Sequence, residues 1–267
     1  MTTFYALKKN IARLAPGPVV DWYLAHRWPL YLGNRYNCNL CGTSFRTMVP
    51  GGSLEPVCRE LQIIGMGYQP NMTCPRCGAI DRWRLLWHFI QSRTDLLKVP
   101  HSLLHMAPEA HLQRLFRTCP TLSYLSADMN NPLAMRKMDI TRLDIDDQTF
   151  DAIICSHVLE HISDDLRAMR EMFRVLKPGG WAILQVPLSP VLKSTFEDPA
   201  IQSPQDRNLR YGQADHVRIY GLDYPDRLRK AGFAVTTCNA LATFGHEWVD
   251  RHAVEPREDV FFCTRIC

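Results

Sequence analysis

The chain has no apolar run that approaches the roughly 20 residues of a membrane-spanning helix, although 46% of its 267 residues are hydrophobic. It also lacks the pattern of a secretory leader, because Lys8 and Lys9 interrupt the opening before a long apolar core can form. We therefore expect no transmembrane segment and a reducing cytoplasmic setting for the ten cysteines. In that setting clustered cysteines are metal ligands, and scattered ones are buried apolar side chains.

Acidic residues are scarce in the first 100 positions, which contain 12 Lys and Arg but only 5 Asp and Glu. The remaining residues contain 19 Lys and Arg and 22 Asp and Glu. A basic region of this kind favours nucleic-acid binding. The rear part, however, has no stripe of Arg and Lys and no evident ladder of aromatic residues, which argues against an extended RNA-binding surface there. The length allows one full α/β core and a small accessory module.

Two Cys-x-x-Cys-Gly motifs lie in the basic front part, with 32 residues between Cys41 of the first and Cys74 of the second. Two thiolates two residues apart can bind one tetrahedral ion, and the glycine permits the tight turn between them. The pair of motifs resembles a zinc ribbon. It predicts a structural Zn²⁺ site, because four thiolates complete the coordination sphere. The expected ligands are Cys38, Cys41, Cys74 and Cys77.

Residues 150–180 have the pattern of a strand followed by a helix. An apolar run at 152–155 predicts a buried strand, and apolar residues then recur at helical spacing from Ile162 to Leu176. Pro-Gly-Gly at 178–180 is predicted to end the helix before a second strand over 181–186. Together these segments predict a βαβ unit.

This stretch resembles the class I S-adenosylmethionine-dependent methyltransferases, in particular the methyltransferase type 11-like group. The signatures are F-D at 150–151 with L-E-H at 159–161, and L-K-P-G-G at 176–180. The resemblance implies an α/β fold in which a Rossmann-like seven-stranded methyltransferase sheet follows a small N-terminal zinc-ribbon domain. It also implies that the last strand, over 259–265, runs antiparallel between strands five and six.

Three parts are expected along the chain. Residues 1–35 are predicted to form a helical arm, residues 36–98 a zinc-ribbon-like module with a linking helix, and residues 99–267 the methyltransferase domain. Within that domain the polar stretch 191–221 is predicted to be a lid-like insertion over the site. The arm is expected to pack on the main domain or on a partner in a homodimer, with a membrane-surface foot or a substrate lid as alternatives.

The resemblance implies that S-adenosylmethionine binds at the ends of the first strands. The first turn is expected at Ala107, Pro108 and Glu109, where the family usually has Gly-x-Gly, and His105 stands where an acid is usual. Without the glycines the backbone has less freedom to approach the methionine part of the cofactor. Glu109 is expected to pair with the positive charge of the cofactor. A fold that no longer binds cofactor is the alternative.

The second and third strands are expected to supply the remaining cofactor contacts. Asp128, followed by Met129, is assigned to the ribose hydroxyls, with a helix N-cap as the alternative role for its carboxylate. Asp139 is assigned to the adenine amino group and Ile140 to the adenine ring, and Ser156 is expected at the cofactor edge of strand four.

Methyl transfer is an in-line displacement, so a general base is needed only for an acceptor that is protonated at neutral pH, such as a hydroxyl. His216 is the predicted base, with Asp215 beside it to raise its basicity, and His157 is expected at the cofactor edge. Arg218 and Tyr220 are predicted to orient an anionic acceptor. A loop anchored by hydrogen bonds is the alternative for this cluster.

The predicted function is methyl transfer to a hydroxyl of a small molecule or glycan, which the lid-like insertion and the mildly acidic rear part favour. An RNA methyltransferase is the alternative that the basic front part and the ribbon favour. A non-catalytic scaffold is the third. Arg82 and Arg84, in a helix predicted from residue 81, are either phosphate contacts or part of a solvated face. His161 is expected to cap or pack a helix.

Overall fold

The structure is a computed structural model that describes residues 26–266. Most of the predicted helical arm, residues 1–25, lies outside the described residues. The described part of the arm is not a long helix, because Trp28–Tyr31 form one 3₁₀ turn and the first strand begins at Leu32. None of the described helices is both long enough and apolar enough to cross a membrane.

The front part consists of two short hairpins and two helices. Strand β1 (Leu32–Cys38) pairs antiparallel with β2 (Thr43–Phe45), and β3 (Val49–Gly51) pairs with β4 (Gln69–Thr73). Helix α1 (Pro56–Glu60) lies in the spacer between β3 and β4. Helix α2 (Asp81–Arg93) follows the second cysteine motif, as predicted.

A seven-stranded sheet forms the centre of the remainder. Its strands are β5 (His101–Met106), β6 (Leu122–Asp128), β7 (Arg136–Lys137), β8 (Phe150–Ser156), β9 (Leu176–Gln185), β10 (Ala234–Asn239) and β11 (Asp259–Thr264). Their order across the sheet is β7-β6-β5-β8-β9-β11-β10. The first five run parallel, and β11 pairs antiparallel with both β9 and β10. The predicted fold class and the predicted place of the last strand are therefore confirmed.

Helices cover both faces of this sheet. They are α2 together with α3 (Ala110–Arg117), α4 (Asp165–Val175), α6 (Tyr224–Lys230) and α7 (Ala240–Arg251), whereas α5 (Pro204–Tyr211) lies in the insertion. Successive side chains of β8 alternate between two cores: Ile153 and Cys155 lie in one, Ala152 and Ile154 in the other. A strand buried on both faces reads as one continuous apolar run, which is the pattern seen in the sequence.

The Pro-Gly-Gly segment does not end the helix as predicted. Helix α4 ends at Val175, and strand β9 begins at Leu176 and includes both glycines. The reason is pairing with the C-terminal strand, because the Gly179 N–H donates to the Arg265 carbonyl and the Arg265 N–H donates to the Gly180 carbonyl.

The insertion at 191–221 packs against the spacer of the front part. Tyr211 and Ile219 share one hydrophobic cluster with Cys58, Ile63 and Met66. Burial of these apolar side chains holds the two segments together. Through this contact the front part forms a wall beside the carboxyl ends of the central strands.

Arg84 is a structural residue at the junction of the front part and α7. It is fully buried, and its guanidinium donates hydrogen bonds to four backbone carbonyls, those of Met72, Ala79, His252 and Ala253. Both sequence interpretations of Arg84, a phosphate contact and a solvated face, are therefore wrong. Arg82 differs, because it is half-buried and lines a cavity described below.

Candidate functional site

The two cysteine motifs bring their four sulfur atoms together, all within 4.8 Å of one another. Cys38 Sγ lies 3.6 Å from Cys77 Sγ, and Cys41 Sγ lies 3.8 Å from Cys74 Sγ. Four sulfurs around a tetrahedral Zn²⁺, each about 2.3 Å from the ion, are about 3.8 Å apart. The geometry therefore fits the Zn²⁺ site that the sequence predicts.

A cavity of about 720 Å³ lies at the carboxyl ends of β5, β6 and β8. Open α/β sheets bind ligands at this edge. Of the predicted site residues, those that line the cavity are Ala107, Asp128, Met129, Asp139, Ile140, His157 and Asp215. Four others do not line it, namely Pro108, Glu109, Ser156 and His216. We call this space the strand-end cavity.

Two carboxylates of the strand-end cavity are held by their own turns. Asp128 Oδ1 accepts hydrogen bonds from the N–H groups of Asn130 and Asn131, both at 2.6 Å. Asp139 Oδ1 accepts from the N–H and the hydroxyl of Thr141, both at 2.8 Å. The backbone hydrogen bond from Thr141 lowers the pKa of Asp139. Each carboxylate is thus fixed in orientation through one oxygen, and its second oxygen is left for a ligand.

The backbone is left-handed at two non-glycine residues on this edge. Ala107 has φ 48° and His157 has φ 57°, and each directly follows one of the neighbouring strands β5 and β8. Such backbone angles are costly for residues other than glycine and cluster at functional sites. The first turn therefore adopts a conformation that glycine would favour, although no glycine is present in it.

Glu109 is paired within the protein. Its Oε2 lies 2.7 Å from Nε2 of the buried His105, whose Nδ1 lies 3.0 Å from the Tyr124 hydroxyl. Burial has the largest single effect and opposes ionisation of Glu109. The hydrogen bond and charge interaction with His105, a backbone hydrogen bond and the charge of Arg82 together outweigh burial, so the pKa of Glu109 is lowered. Glu109 was expected to pair with a charge of the cofactor, but its Oε2 pairs with His105 instead. The other oxygen, Oε1, is buried and takes no hydrogen bond from the described residues.

A second cavity, of about 480 Å³, lies between the front part and the sheet. We call it the junction pocket. Its wall combines the spacer, the 3₁₀ turn Leu159–His161 and the insertion. His157 and His161 line both this pocket and the strand-end cavity. The two spaces therefore meet at these imidazoles.

Asp215 does not pair with His216 as predicted. Its Oδ2 lies 3.2 Å from Nδ1 of His161. The expected rise in the basicity of His216 is also wrong, because burial outweighs the nearby carboxylates and lowers the pKa of His216 to about 4. His161, expected to cap or pack a helix, instead faces both cavities.

Arg218 and Tyr220 support the 3₁₀ turn from behind and do not line either of these cavities. The buried Arg218 guanidinium donates to the carbonyls of residues 159, 162 and 163. The Tyr220 hydroxyl donates to the Asp165 carboxylate at 2.7 Å. These contacts favour the alternative of a loop anchored by hydrogen bonds for both residues. Arg218 also lines a separate cavity with Ser163 and Glu197, so its role toward an acceptor stays a prediction.

The family model of the methyltransferase domain matches residues 119–184, which run from the approach to β6 into β9. Over these residues the chain is similar to the methyltransferase domain. The matched segment of the methyltransferase domain contains Asp128, Asp139 and the 3₁₀ turn, and it leaves out the first turn at residues 107–109.

Two curated relatives are similar to parts of this chain. A demethylmenaquinone methyltransferase of Streptomyces avermitilis is 29% identical over 119 residues, which is 39% of this chain and 52% of the relative. A ubiquinone/menaquinone biosynthesis C-methyltransferase of Idiomarina loihiensis is 37% identical over 62 residues, 22% of this chain and 25% of the relative. The chain thus spans about half of the first relative and a quarter of the second.

Solved structures with a similar chain course include the [4+2]-cyclase SpnF. Its TM-score is 0.48 at 18% identity, with 70% of this chain and 81% of SpnF covered. The YcgJ protein of Bacillus subtilis gives a TM-score of 0.44 at 18% identity, with 68% and 94% covered.

Proposed function

We propose that this protein is an S-adenosylmethionine-dependent methyltransferase that acts on a hydroxyl of a polar small molecule or glycan. The observation that carries the proposal is that the strand-end cavity and the junction pocket share His157 and His161. A methyl donor in the first space and an acceptor in the second would meet at these side chains. Alignment of two reactants in this way supplies a large part of the rate acceleration of a displacement reaction.

The residues of the strand-end cavity fit the cofactor. Asp128 and Asp139 each offer one carboxylate oxygen to hydroxyl or amino groups, and the buried Ile140 offers an apolar surface to a ring. Glu109, in the first turn, keeps Oε1 buried without a partner among the described residues, but it does not line this cavity. When bound, S-adenosylmethionine supplies an activated methyl group on sulfur.

The junction pocket favours a polar acceptor. Its lining includes Ser53, Arg82, Gln213 and three histidines, with Met66 and Met72 as its large apolar side chains. The names of the two relatives point to quinone acceptors, but a long apolar tail finds little apolar surface here. We assign the general base for a hydroxyl acceptor to His157, because it lines both spaces and its Nε2 has no hydrogen-bond partner among the described residues.

The two parts of the chain have separate roles in this proposal. The module at 36–98 supplies one wall of the junction pocket and holds a structural Zn²⁺ through its four cysteines. The domain at 99–267 holds the cofactor, and its insertion at 191–221 closes the acceptor side.

Calorimetry with S-adenosylhomocysteine tests the cofactor site. We expect binding to the wild type and about tenfold or greater weakening in Asp128→Asn, because a hydrogen bond to an ionised acceptor contributes about 1.5–3 kcal/mol. Asp144→Asn, at an exposed acid that does not line the cavity, is the matched control and should bind as the wild type does. If the wild type binds neither S-adenosylmethionine nor S-adenosylhomocysteine, the enzyme proposal fails.

Transfer of a labelled methyl group from S-adenosylmethionine tests the acceptor class. The protein is incubated with a cell extract, and the label is followed into small-molecule, glycan and RNA fractions. We expect label in a small-molecule or glycan fraction, and about 100-fold less in His157→Asn. Calorimetry with S-adenosylhomocysteine on the same variant separates loss of the base from loss of cofactor binding. Label confined to RNA would overturn the proposed acceptor while leaving methyl transfer in place.

A further inference from the structure

Three side chains with metal-binding atoms meet on one wall of the junction pocket. Glu160, His161 and His216 each offer one ligand atom, and these atoms lie within 4.8 Å of one another. The rings of His161 and His216 are 4.7 Å apart at 84°, so they do not stack. All three residues line the junction pocket.

Glu160 has no adequate partner within the protein. Its side chain is 1% exposed, and neither carboxylate oxygen takes a hydrogen bond from the described residues. The nearest imidazole nitrogens are His157 Nδ1 at 3.3 Å and His161 Nε2 at 3.9 Å. Burial opposes the charge, but these histidines and His216 outweigh it and lower the pKa of Glu160. A buried carboxylate without hydrogen bonds is costly unless a positive group meets it.

His216 is also left without a partner at Nδ1 among the described residues, and it is 2% exposed. In the neutral ring with its proton on Nε2, this unpartnered Nδ1 carries a lone pair. A neutral imidazole is the form that binds a metal ion.

His161 has the hydrogen-bond arrangement of a metal ligand. Its Nδ1 lies 3.2 Å from the carboxylate of Asp215, which is exposed to solvent. An Nδ1–H donated to that carboxylate leaves the lone pair on Nε2, the nitrogen nearer to Glu160. Histidines that ligate metals usually donate their other nitrogen to a carboxylate in this way.

The backbone fixes the two segments that carry the cluster. The N–H of Val217, next to His216, donates to the carbonyl of Glu160 at 2.9 Å. Arg218 donates to the carbonyls of Leu159 and Ile162 on either side of Glu160 and His161. Ligands from two distant parts of the sequence are thus held in register.

We propose that Glu160, His161 and His216 form a site for a divalent transition-metal ion, with its open positions facing the junction pocket. Bonds of 2.0–2.2 Å place ligand atoms that share an ion about 3–4 Å apart, so small side-chain adjustments complete the site. Two histidines and one carboxylate suit ions such as Mn²⁺, Fe²⁺, Co²⁺ and Zn²⁺. On the proposed function, the ion would bind the acceptor oxygen beside His157 and favour its ionised form.

Binding of Mn²⁺ alone tests this site, measured by electron paramagnetic resonance on the full chain with its ribbon zinc in place. Mn²⁺ prefers nitrogen and oxygen ligands, so the four cysteines do not compete for it. We expect one Mn²⁺ per chain in the wild type. Affinity should fall about tenfold or more in Glu160→Gln, in His161→Asn and in His216→Asn, and should also fall in Asp215→Asn.

His246→Asn is the matched control, because His246 is exposed and lies outside the cluster. It should bind Mn²⁺ as the wild type does. Near-ultraviolet circular dichroism shows whether each variant is folded, and the half-exposed His161 gives the variant with the smallest structural risk.

The proposal is overturned if the folded wild type binds neither Mn²⁺ nor Co²⁺ outside the cysteine site, or if His161→Asn and His216→Asn bind as tightly as the wild type. The measurement needs no methyl donor. In Glu160→Gln and His216→Asn, which change residues outside the strand-end cavity, loss of the metal site should leave S-adenosylhomocysteine binding intact. Failure of the proposed function would instead appear as absent cofactor binding in a protein that still holds Mn²⁺.

Discussion

Glu258 is a buried carboxyl group among like charges. Its side chain adjoins the front part near Gly65, and its Oε2 takes no hydrogen bond from the described residues. Burial first, and then the nearby Asp81, raise its pKa to about 8 from an ordinary 4.5, although Arg82 acts in the opposite direction. Asp259 and Glu255 add to the rise.

The raised pKa of Glu258 predicts a pH-dependent stability. Between pH 4.5 and 8 the folded protein keeps a proton that the unfolded chain releases, so this residue lowers the free energy of unfolding as the pH rises through that window. Glu258→Gln removes the ionisable group and should be more stable than the wild type at pH 8 by on the order of 2 kcal/mol, with little gain at pH 4.5.

Urea unfolding at both pH values measures the effect of Glu258→Gln. Glu247→Gln, at an exposed acid of α7, is the control and should change stability by less than about 0.5 kcal/mol. An equal effect of Glu258→Gln at the two pH values would contradict the prediction.

The sequence located some individual site residues and not others. Asp128 and Asp139 were predictable because each follows a strand, and the carboxyl ends of parallel strands meet at one edge. The pairing of His105 with Glu109 was not predicted, although their i, i+4 spacing was visible. Glu160 was assigned only to a family signature, because its burial and its two unpartnered oxygens are properties of the folded protein.

Among the secondary-structure elements, helix α2 connects the front part to the sheet. One side of it buries apolar residues in a core of the sheet, and Arg84 lies on another side among backbone carbonyls. Two of those carbonyls, Met72 and Ala79, belong to the front part, and the other two follow α7. The guanidinium therefore joins segments that have no direct strand pairing.

Arg84→Lys should destabilise the protein by roughly 2–4 kcal/mol, because an ammonium group has three donors for four carbonyls and its buried charge is less dispersed. Arg93→Lys is the control in the same helix, where the exposed guanidinium donates to a single carbonyl, that of Thr243. Thermal unfolding followed by circular dichroism compares the two. Similar melting temperatures for both variants would show that the carbonyl contacts of Arg84 contribute little.

Helices and strands were predicted well where the apolar residues follow one regular spacing. The apolar run of β8 and the helical spacing of α4 gave both elements, with end points in error by a few residues. The packing of the insertion on the spacer was not predicted, because Tyr211 and Ile219 show no pattern that points to Cys58 and Met66. Contacts between segments that are distant in sequence depend on the assembled surface.

At the scale of the whole molecule, the two cavities depend on different parts of the chain. Of the residues that the structure describes, those that line the strand-end cavity lie between 106 and 215, within the proposed domain at 99–267. The junction pocket also needs Gly52, Ser53, Gly65, Met66, Met72 and Arg82 from the front part. Damage to the cysteine site should therefore affect one cavity more than the other.

Cys74→Ser should remove about one Zn²⁺ per chain and abolish methyl transfer to the acceptor, while the affinity for S-adenosylhomocysteine stays within about threefold of wild type. Zinc content, labelled methyl transfer and calorimetry measure the three quantities. Cys119→Ser, in the loop between α3 and β6, is the control and should leave all three unchanged. If Cys74→Ser loses its affinity for S-adenosylhomocysteine together with its methyl transfer, the two parts fold as one cooperative unit.

The hydrophobic cluster between the spacer and the insertion can form only late in synthesis. Ser53 and Gly212, joined by a hydrogen bond in the folded protein, are 159 residues apart in the chain. At roughly 5–20 residues per second, the ribosome completes the spacer many seconds before Tyr211 and Ile219 emerge. Cys58, Ile63 and Met66 remain uncovered during that interval. The nascent front part therefore exposes apolar side chains that can aggregate until the insertion is made.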